Sequence, residues 1–150
     1  MAKMVDIGEK PDVYRRAEAS GVICLKPGTI RAIRARRIEK GDVLAAAEIA
    51  ALQAMKAVWQ VLPHTHPVPI TSASVTFEIG ADRVVATTTV EATYKTGVEM
   101  EALYGVTVAL LTIWDMAKSL EKDRNGQYPT ARIEGIRVVS KEKGRRRARA

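Results

Sequence analysis

The spacing of apolar and polar positions changes along this chain from one segment to the next, and each change predicts an element. Val22-Ile23-Cys24-Leu25 is a short apolar run stopped by Lys26-Pro27-Gly28, which reads as a strand. Ile30, Ile33 and, less regularly, Ile38 mark a short helix whose polar side is an arginine cluster and which Gly41-Asp42 breaks. Asp42 is a good N-cap, and the residues after it are rich in Ala, Leu, Ile and Met, with no Gly or Pro before Pro63. They predict a mostly buried helix over 43–61, interrupted only by Glu48, Gln53, Lys56 and Gln60. The prolines Pro63, Pro67 and Pro69 exclude regular structure between them. Ser74 to Ile79 alternates with period two, Gly80-Ala81-Asp82 turns the chain, and the β-branched run from Arg83 to Tyr94 completes a hairpin. Thr96-Gly97-Val98-Glu99 has capping-box spacing and opens a helix to about Leu120; Glu99 is explained there by reaching back to the Thr96 amide. After the polar loop 123–127, Ile133, Ile136, Val138 and Val139 mark a last strand.

With the two helical pieces before the hairpin taken as one crossover, the order is β-α-β-β-α-β. That is the order of a ferredoxin-like sandwich of the α+β class, an antiparallel sheet with two long helices on one face. Residues 1–20 read as an extended arm, 21–140 as the domain, and 141–150 as a basic mobile tail. The other sheet face is left bare and both long helices are apolar nearly all round, so a homo-oligomer is expected.

Composition narrows the class. The 150 residues suffice for one domain, and a hydrophobic share of 47% excludes global disorder. One cysteine excludes an internal disulfide and a cysteine-rich zinc site. Met1 to Asp6 holds no apolar signal core and no apolar run approaches membrane-spanning length. A soluble cytoplasmic chain with no membrane partner is therefore expected. The net charge of +7 suggests nucleic acid until it is located. Six basic groups against Glu142 give residues 141–150 a charge of +5, five against Glu39 give residues 31–40 a charge of +4, and the rest stands at −2. The expected strands offer only Phe77 and Tyr94 for stacking bases, so specific nucleic-acid binding is not expected; the tail alone would bind weakly and with strong salt dependence. A nucleic-acid-binding or assembly module using that tail is the alternative to an enzyme.

Four groups could carry chemistry. On the helix opened by Glu99, Glu101 and Asp115 are fourteen residues apart and fall within about 40° of one side at roughly 100° per residue, and Lys118 follows Asp115 at i+3. A carboxylate and an ammonium side by side could serve as acid and base, or form a surface ion pair. His64-Thr65-His66, stiffened between Pro63 and Pro67, could present imidazoles to an anion or a base, or be a solvated loop; no third ligand makes it a zinc site. Lys40-Gly41-Asp42 at a helix mouth could hold a phosphate or be a plain cap. Asp6, Lys10, Arg15 and Arg16 lie on an arm that either moves freely or crosses a neighbouring subunit.

Taken together these segments resemble one family. Met4-Val5-Asp6-Ile7 with Lys10, Lys40-Gly41-Asp42-Val43 and the Pro63-x-x-His66-Pro67 turn carry part of the likeness. Thr96-Gly97-Val98-Glu99-Met100-Glu101-Ala102-Leu103 and Leu111-Thr112-Ile113-Trp114-Asp115-Met116-x-Lys118 carry the rest, and the whole is similar to the cyclic pyranopterin monophosphate synthases. The resemblance covers residues 4 to about 143 and implies a lyase of molybdenum-cofactor biosynthesis. Its substrate would be a cyclised GTP derivative, 3′,8-cyclo-7,8-dihydro-GTP, made by a radical-SAM GTP cyclase. Rearrangement to cyclic pyranopterin monophosphate would release pyrophosphate, with no metal and no cofactor held by the protein.

The resemblance further implies that Asp115, Lys118 and Lys40 form the acid–base centre, where a Lys of lowered pKa beside an Asp would suit proton transfer. His64, Thr65, His66, Met100 and Glu101 would line the substrate pocket, and Asp6, Lys10, Arg15, Lys56 and Lys141 would add polar contacts, some to the triphosphate. It also implies a homohexamer, a trimer of dimers, with sites at subunit interfaces. The chain departs from the family pattern at Thr65, where a Cys is usual, at Trp114, where a Tyr is usual, and in the string from Lys141 to Arg146, which replaces a Gly- and Ser-rich one.

Overall fold

The computed structural model describes residues 1–144. Four strands, β1 (Val13–Cys24), β2 (Ile70–Ile79), β3 (Arg83–Tyr94) and β4 (Arg132–Lys143), form one open antiparallel sheet in the order β2-β3-β1-β4. Between β1 and β2 lie α1 (Pro27–Arg34), α2 (Val43–Met55) and α3 (Val58–Val61), and between β3 and β4 lies α4 (Glu99–Glu121). This is the expected α+β arrangement: α4 crosses β1 and β3, and α2 packs beside α4 over β2. Alternate residues of the central strands face the helices, Ala17, Ala19 and Ile23 from β1 against Val84, Ala86, Val90 and Ala92 from β3, and close the core with Val106, Leu110 and Ile113 of α4.

Several elements differ from the sequence reading. β1 begins at Val13, so the arm expected over 1–20 is a strand from residue 13 onward. Its buried positions are Arg15, Ala17, Ala19, Gly21, Ile23 and Cys24, mostly a small-residue track rather than an apolar run, because α4 lies close above it. A Cβ on Gly21 would stand 2.8 Å from Leu110 Cδ1. The helix expected over 43–61 ends at Met55, where the Lys56 and Ala57 amides bond Gln53 and Ala54, and α3 starts afresh; nothing in the structure explains the break. β4 runs on to Lys143, into the segment read as tail, while residues 145–150 lie outside the described ones.

α4 is long and apolar enough to cross a membrane by length and composition, contrary to the reading that no apolar run was. Its apolarity is that of a core helix: Ala102, Val106, Ala109, Leu110, Ile113 and Ala117 are buried on the sheet and α2. Gly105 lets α2 approach, since a Cβ there would stand 2.8 Å from Met55 Cγ. The sheet face away from the helices is lined by the alternate set Glu18, Ser20, Ser74, Thr76, Thr87 and Thr89, in register across three strands. Exposed apolar residues lie on the helix layer, at Ile49, Trp59, Val61, Met100 and Leu111, and on the edge strand β4, at Ile136, Val138 and Val139. At the far end of α4, fully buried Glu121 accepts the Lys26 N–H at 3.1 Å and the Thr29 hydroxyl. It thus does for α1 what its own N-cap residue, Lys26, does not.

Candidate active site

The two ends of α4 each carry a cluster of polar side chains. At the first end His64, Thr65, His66, Val68, Thr96, Gly97, Glu99, Met100 and Glu101 line a cavity of about 140 Å³. The proline-stiffened loop delivers both histidines to the opening turn of the helix. Thr65 fixes this loop, for its hydroxyl donates to the Leu62 carbonyl at 2.7 Å and its amide donates to the same oxygen at 3.1 Å. Where the family pattern has a thiol, this chain has a hydroxyl committed to a turn.

Glu101 is 4% exposed, and burial pushes its carboxyl up to about 7, with neighbouring Glu99 acting in the same direction. Glu99 does not close a capping box. The helix begins at Glu99 with Val98 as its N-cap and no side-chain cap bond, and the Glu99 carboxylate, lying back against Gly97, pairs with Lys141 at 2.5 Å. Partial burial pushes Glu99 up, but its pairing with Lys141 and the charge of Arg15 outweigh that and hold it below the usual carboxylate range. Arg15 is buried under this end, with Nε unpartnered among the described residues and one terminal nitrogen donating to the Lys95 carbonyl at 3.4 Å. Lys95 in turn holds the arm, donating to the carbonyls of Gly8 at 3.0 Å and Lys10 at 3.2 Å. Asp6 closes the turn of that arm by accepting the Gly8 amide at 2.8 Å.

The second cluster lines a cavity of about 440 Å³ formed by Glu39, Lys40, Asp115, Met116, Lys118, Ser119 and Lys122. Asp115 stands between two ammonium groups, Lys118 Nζ at 3.0 Å on one oxygen and Lys40 Nζ at 3.1 Å on the other. Lys40 also donates to the Asp115 carbonyl at 3.2 Å. The Lys118 hydrogen bond, then that of Lys40, holds Asp115 below the usual carboxylate range, and Asp115 raises Lys118 in return. The lowered lysine pKa expected from the sequence is thus reversed, because the ammonium is paired with a carboxylate and lies in solvent rather than in an apolar pocket. Asp42 accepts the Ala45 amide at 3.1 Å, so the Lys40-Gly41-Asp42 turn is a cap whose lysine turns away to α4.

The sequence-predicted residues therefore separate. Asp115, Lys118 and Lys40 meet at one end, while His64, Thr65, His66, Met100 and Glu101 meet at the other, with Arg15 and Lys141 beside them and Asp6 and Lys10 on the tethered arm. Lys56 is exposed where α2 ends and lines neither cavity. Glu101 and Asp115 share a side of α4, as the spacing implied, but the fourteen residues between them put about 21 Å along the axis. Tyr128, absent from the sequence reading, stands edge-on to Trp114 beside the second cluster. Only its aromatic ring after a turn of Asp, Asn and Gly could have signalled it.

Comparison with known proteins adds a family. The profile described as the MoaC family matches residues 4–144. The chain is 58% identical over 144 residues to the probable cyclic pyranopterin monophosphate synthase of Pyrococcus furiosus, covering 96% of this chain and 92% of that one. It is also 58% identical over 142 residues to the protein of that name from Thermococcus kodakarensis, covering 95% and 91%. A Methanothermobacter thermautotrophicus relative, 55% identical over 141 residues and covering 94% and 89%, is named a probable cyclic pyranopterin monophosphate synthase accessory protein.

Proposed function

The chain belongs to the MoaC family, and from that membership we infer that it is a cyclic pyranopterin monophosphate synthase, a lyase of molybdenum-cofactor biosynthesis. Its substrate on this reading is 3′,8-cyclo-7,8-dihydro-GTP, the product of a radical-SAM GTP cyclase, and its products are cyclic pyranopterin monophosphate and pyrophosphate. The observation that carries the reaction centre is Asp115 held between Lys40 and Lys118.

The side chains suit the steps that this conversion needs. Lys118, raised by Asp115, enters protonated but as a weak acid, and would give its proton to the opening purine-derived ring once the substrate weakens its pairing with Asp115. Glu101 titrates near neutrality, where a carboxyl exchanges protons most readily. Closing the cyclic phosphate joins a sugar hydroxyl oxygen to the α-phosphorus, breaks the bond to the bridging oxygen, and sends pyrophosphate away with that electron pair. Lys10, Arg15 and Lys141 supply cations for the charge that develops. Arg15 is suited to this because its buried guanidinium has an unpartnered Nε.

Within one chain the two clusters would have to share a substrate across the outer face of α4, where Tyr104, Val108 and Leu111 offer a triphosphate no positive charge. A site built from the first end of one subunit and the second end of its neighbour is the simpler arrangement. It makes the protein a homo-oligomer, a hexamer as a trimer of dimers on the family likeness, joined through the exposed apolar residues of the helix layer. A cytoplasmic setting, in which a lone thiol such as Cys24 stays reduced, belongs to the same reading.

The test is turnover. Supplied with the cyclised GTP derivative, the wild type should release pyrophosphate and form a pterin that fluoresces after oxidation. Lys118→Ala and Asp115→Ala should each lose about a hundredfold or more in kcat, as expected for removal of an acid–base group. Equal rates for wild type and both variants would remove these residues from the reaction centre.

A further inference from the structure

We propose that Tyr128 is a positioning residue for Lys118: the loop after α4 returns its ring edge-on to Trp114, walling the turn of the helix from which the Lys118 amine reaches Asp115. The proposal rests on the reading of Lys118 as part of the reaction centre. Ring centroids of Trp114 and Tyr128 lie 5.1 Å apart at an interplanar angle of 63°, the edge-to-face geometry that aromatic quadrupoles favour. Trp114 and Lys118 are an i,i+4 pair on α4, and helical side chains lean toward the N-terminus. The aliphatic stem of Lys118 therefore lies back over the turn that carries Trp114 and Asp115, where Tyr128 stands.

The loop delivers Tyr128 to a fixed place. One Asp123 carboxylate oxygen accepts the amides of Asn125 at 2.8 Å and Gln127 at 3.0 Å. The Asp123 amide donates to the Gln127 carbonyl at 2.9 Å, and Gly126, at φ +74°, donates back to the Asp123 carbonyl at 3.0 Å. The turn is thus closed at its base, and the ring that follows it packs half-buried against the core together with Trp114. Lys118 has a flexible four-carbon stem in a cavity open to water, so its amine would otherwise sample many positions. The groups that face it are Asp115 on its own helix, Lys40 on the other Asp115 oxygen, and Glu39 and Lys122 on the cavity wall, while Tyr128 from the following loop stands against Trp114 one turn back. Asp115 raises the amine most, and Tyr128 acts in the same direction.

The full-length chain serves for the experiment. Steady-state kinetics with the cyclised GTP derivative separate kcat from KM for Tyr128→Leu and Tyr128→Phe. Isotopic methyl labelling of the lysines, followed by NMR titration, reads the Lys118 amine without turnover, with its signal identified by its loss in Lys118→Arg. Tyr128→Leu is expected to lower kcat about tenfold to a hundredfold with KM changed less than about twofold, as a misplaced catalytic group does. The Lys118 titration should fall toward the ordinary lysine range in the same variant. Tyr128→Phe, which keeps the ring but loses the phenol's own charge effect, should restore kcat and the larger part of the shift, which Asp115 causes. Unchanged kcat and titration in Tyr128→Leu, a change in KM alone, or equal damage in Tyr128→Phe overturns the proposal. Should Tyr128→Leu fail to fold by circular dichroism, Tyr128→Met takes its place under the same criteria. A wild type without turnover would remove the synthase reading, and the amine titration would still decide the role of Tyr128.

Discussion

Glu101 and Asp115 bear the same functional group on the same side of one helix, and their surroundings drive them in opposite directions. Asp115 lies between two ammonium groups in water; Glu101 is buried, and the charge that acts on it is that of Glu99. The consequence for stability has a definite sign. Below 4.5 the Glu101 carboxyl is protonated whether the chain is folded or not, but from there to about 7 only the folded chain keeps the proton. Stability should therefore fall as pH rises through that window, by at most about 3 kcal/mol, and stay lower above it. Thermal unfolding of the wild type and Glu101→Gln from pH 5 to 8 checks this: the Gln variant should lose the slope, and parallel curves would contradict it. Helical periodicity was enough to put both carboxylates on one side of α4. It could not separate them, because an angle carries no information about distance along the axis.

Spacing also gave α4, α2 and the β2–β3 hairpin, since each has an apolar period or a capping residue of its own. β1 was read as too short for a physical reason: Ala17, Ala19 and Gly21 do the work of a buried face without looking apolar, because a helix lies close above them. Thr96 and Glu99 have the right spacing for a capping box, yet Glu99 is already the first helical residue and Lys141, far along the chain, takes its carboxylate. A tertiary partner overrides a local motif in the same way where Glu121 caps α1. Contact between α2 and α4 yields a prediction at this scale. Gly105→Ala should gain about 1 kcal/mol of helix propensity, yet destabilise by about 1–3 kcal/mol net, because the new methyl overlaps Met55. Met55→Ala in the same chain should recover much of that cost, and a double-mutant cycle by urea unfolding measures the coupling.

At the scale of the whole molecule, the proposed two-subunit site would make assembly a condition of activity. A two-subunit site makes complementation the informative measurement. Glu101→Gln and Lys118→Ala, each inactive alone, should regain about a quarter of wild-type activity when unfolded, mixed equally and reassembled, since random pairing joins two intact halves in that fraction of sites. A mixture as inactive as its components would return both clusters to one chain. Charge alone pointed toward nucleic acid, and the family resemblance supplied the nucleotide; of the two basic segments, Lys40 reaches Asp115 at one end of α4 and Lys141 reaches Glu99 at the other.

That division has a consequence for a cell carrying two versions of the chain. On the two-subunit reading, each copy would contribute half of a site at either end of α4. A subunit defective at both ends would then silence two reaction centres, not one, so a damaged allele would subtract more activity than its share of the protein.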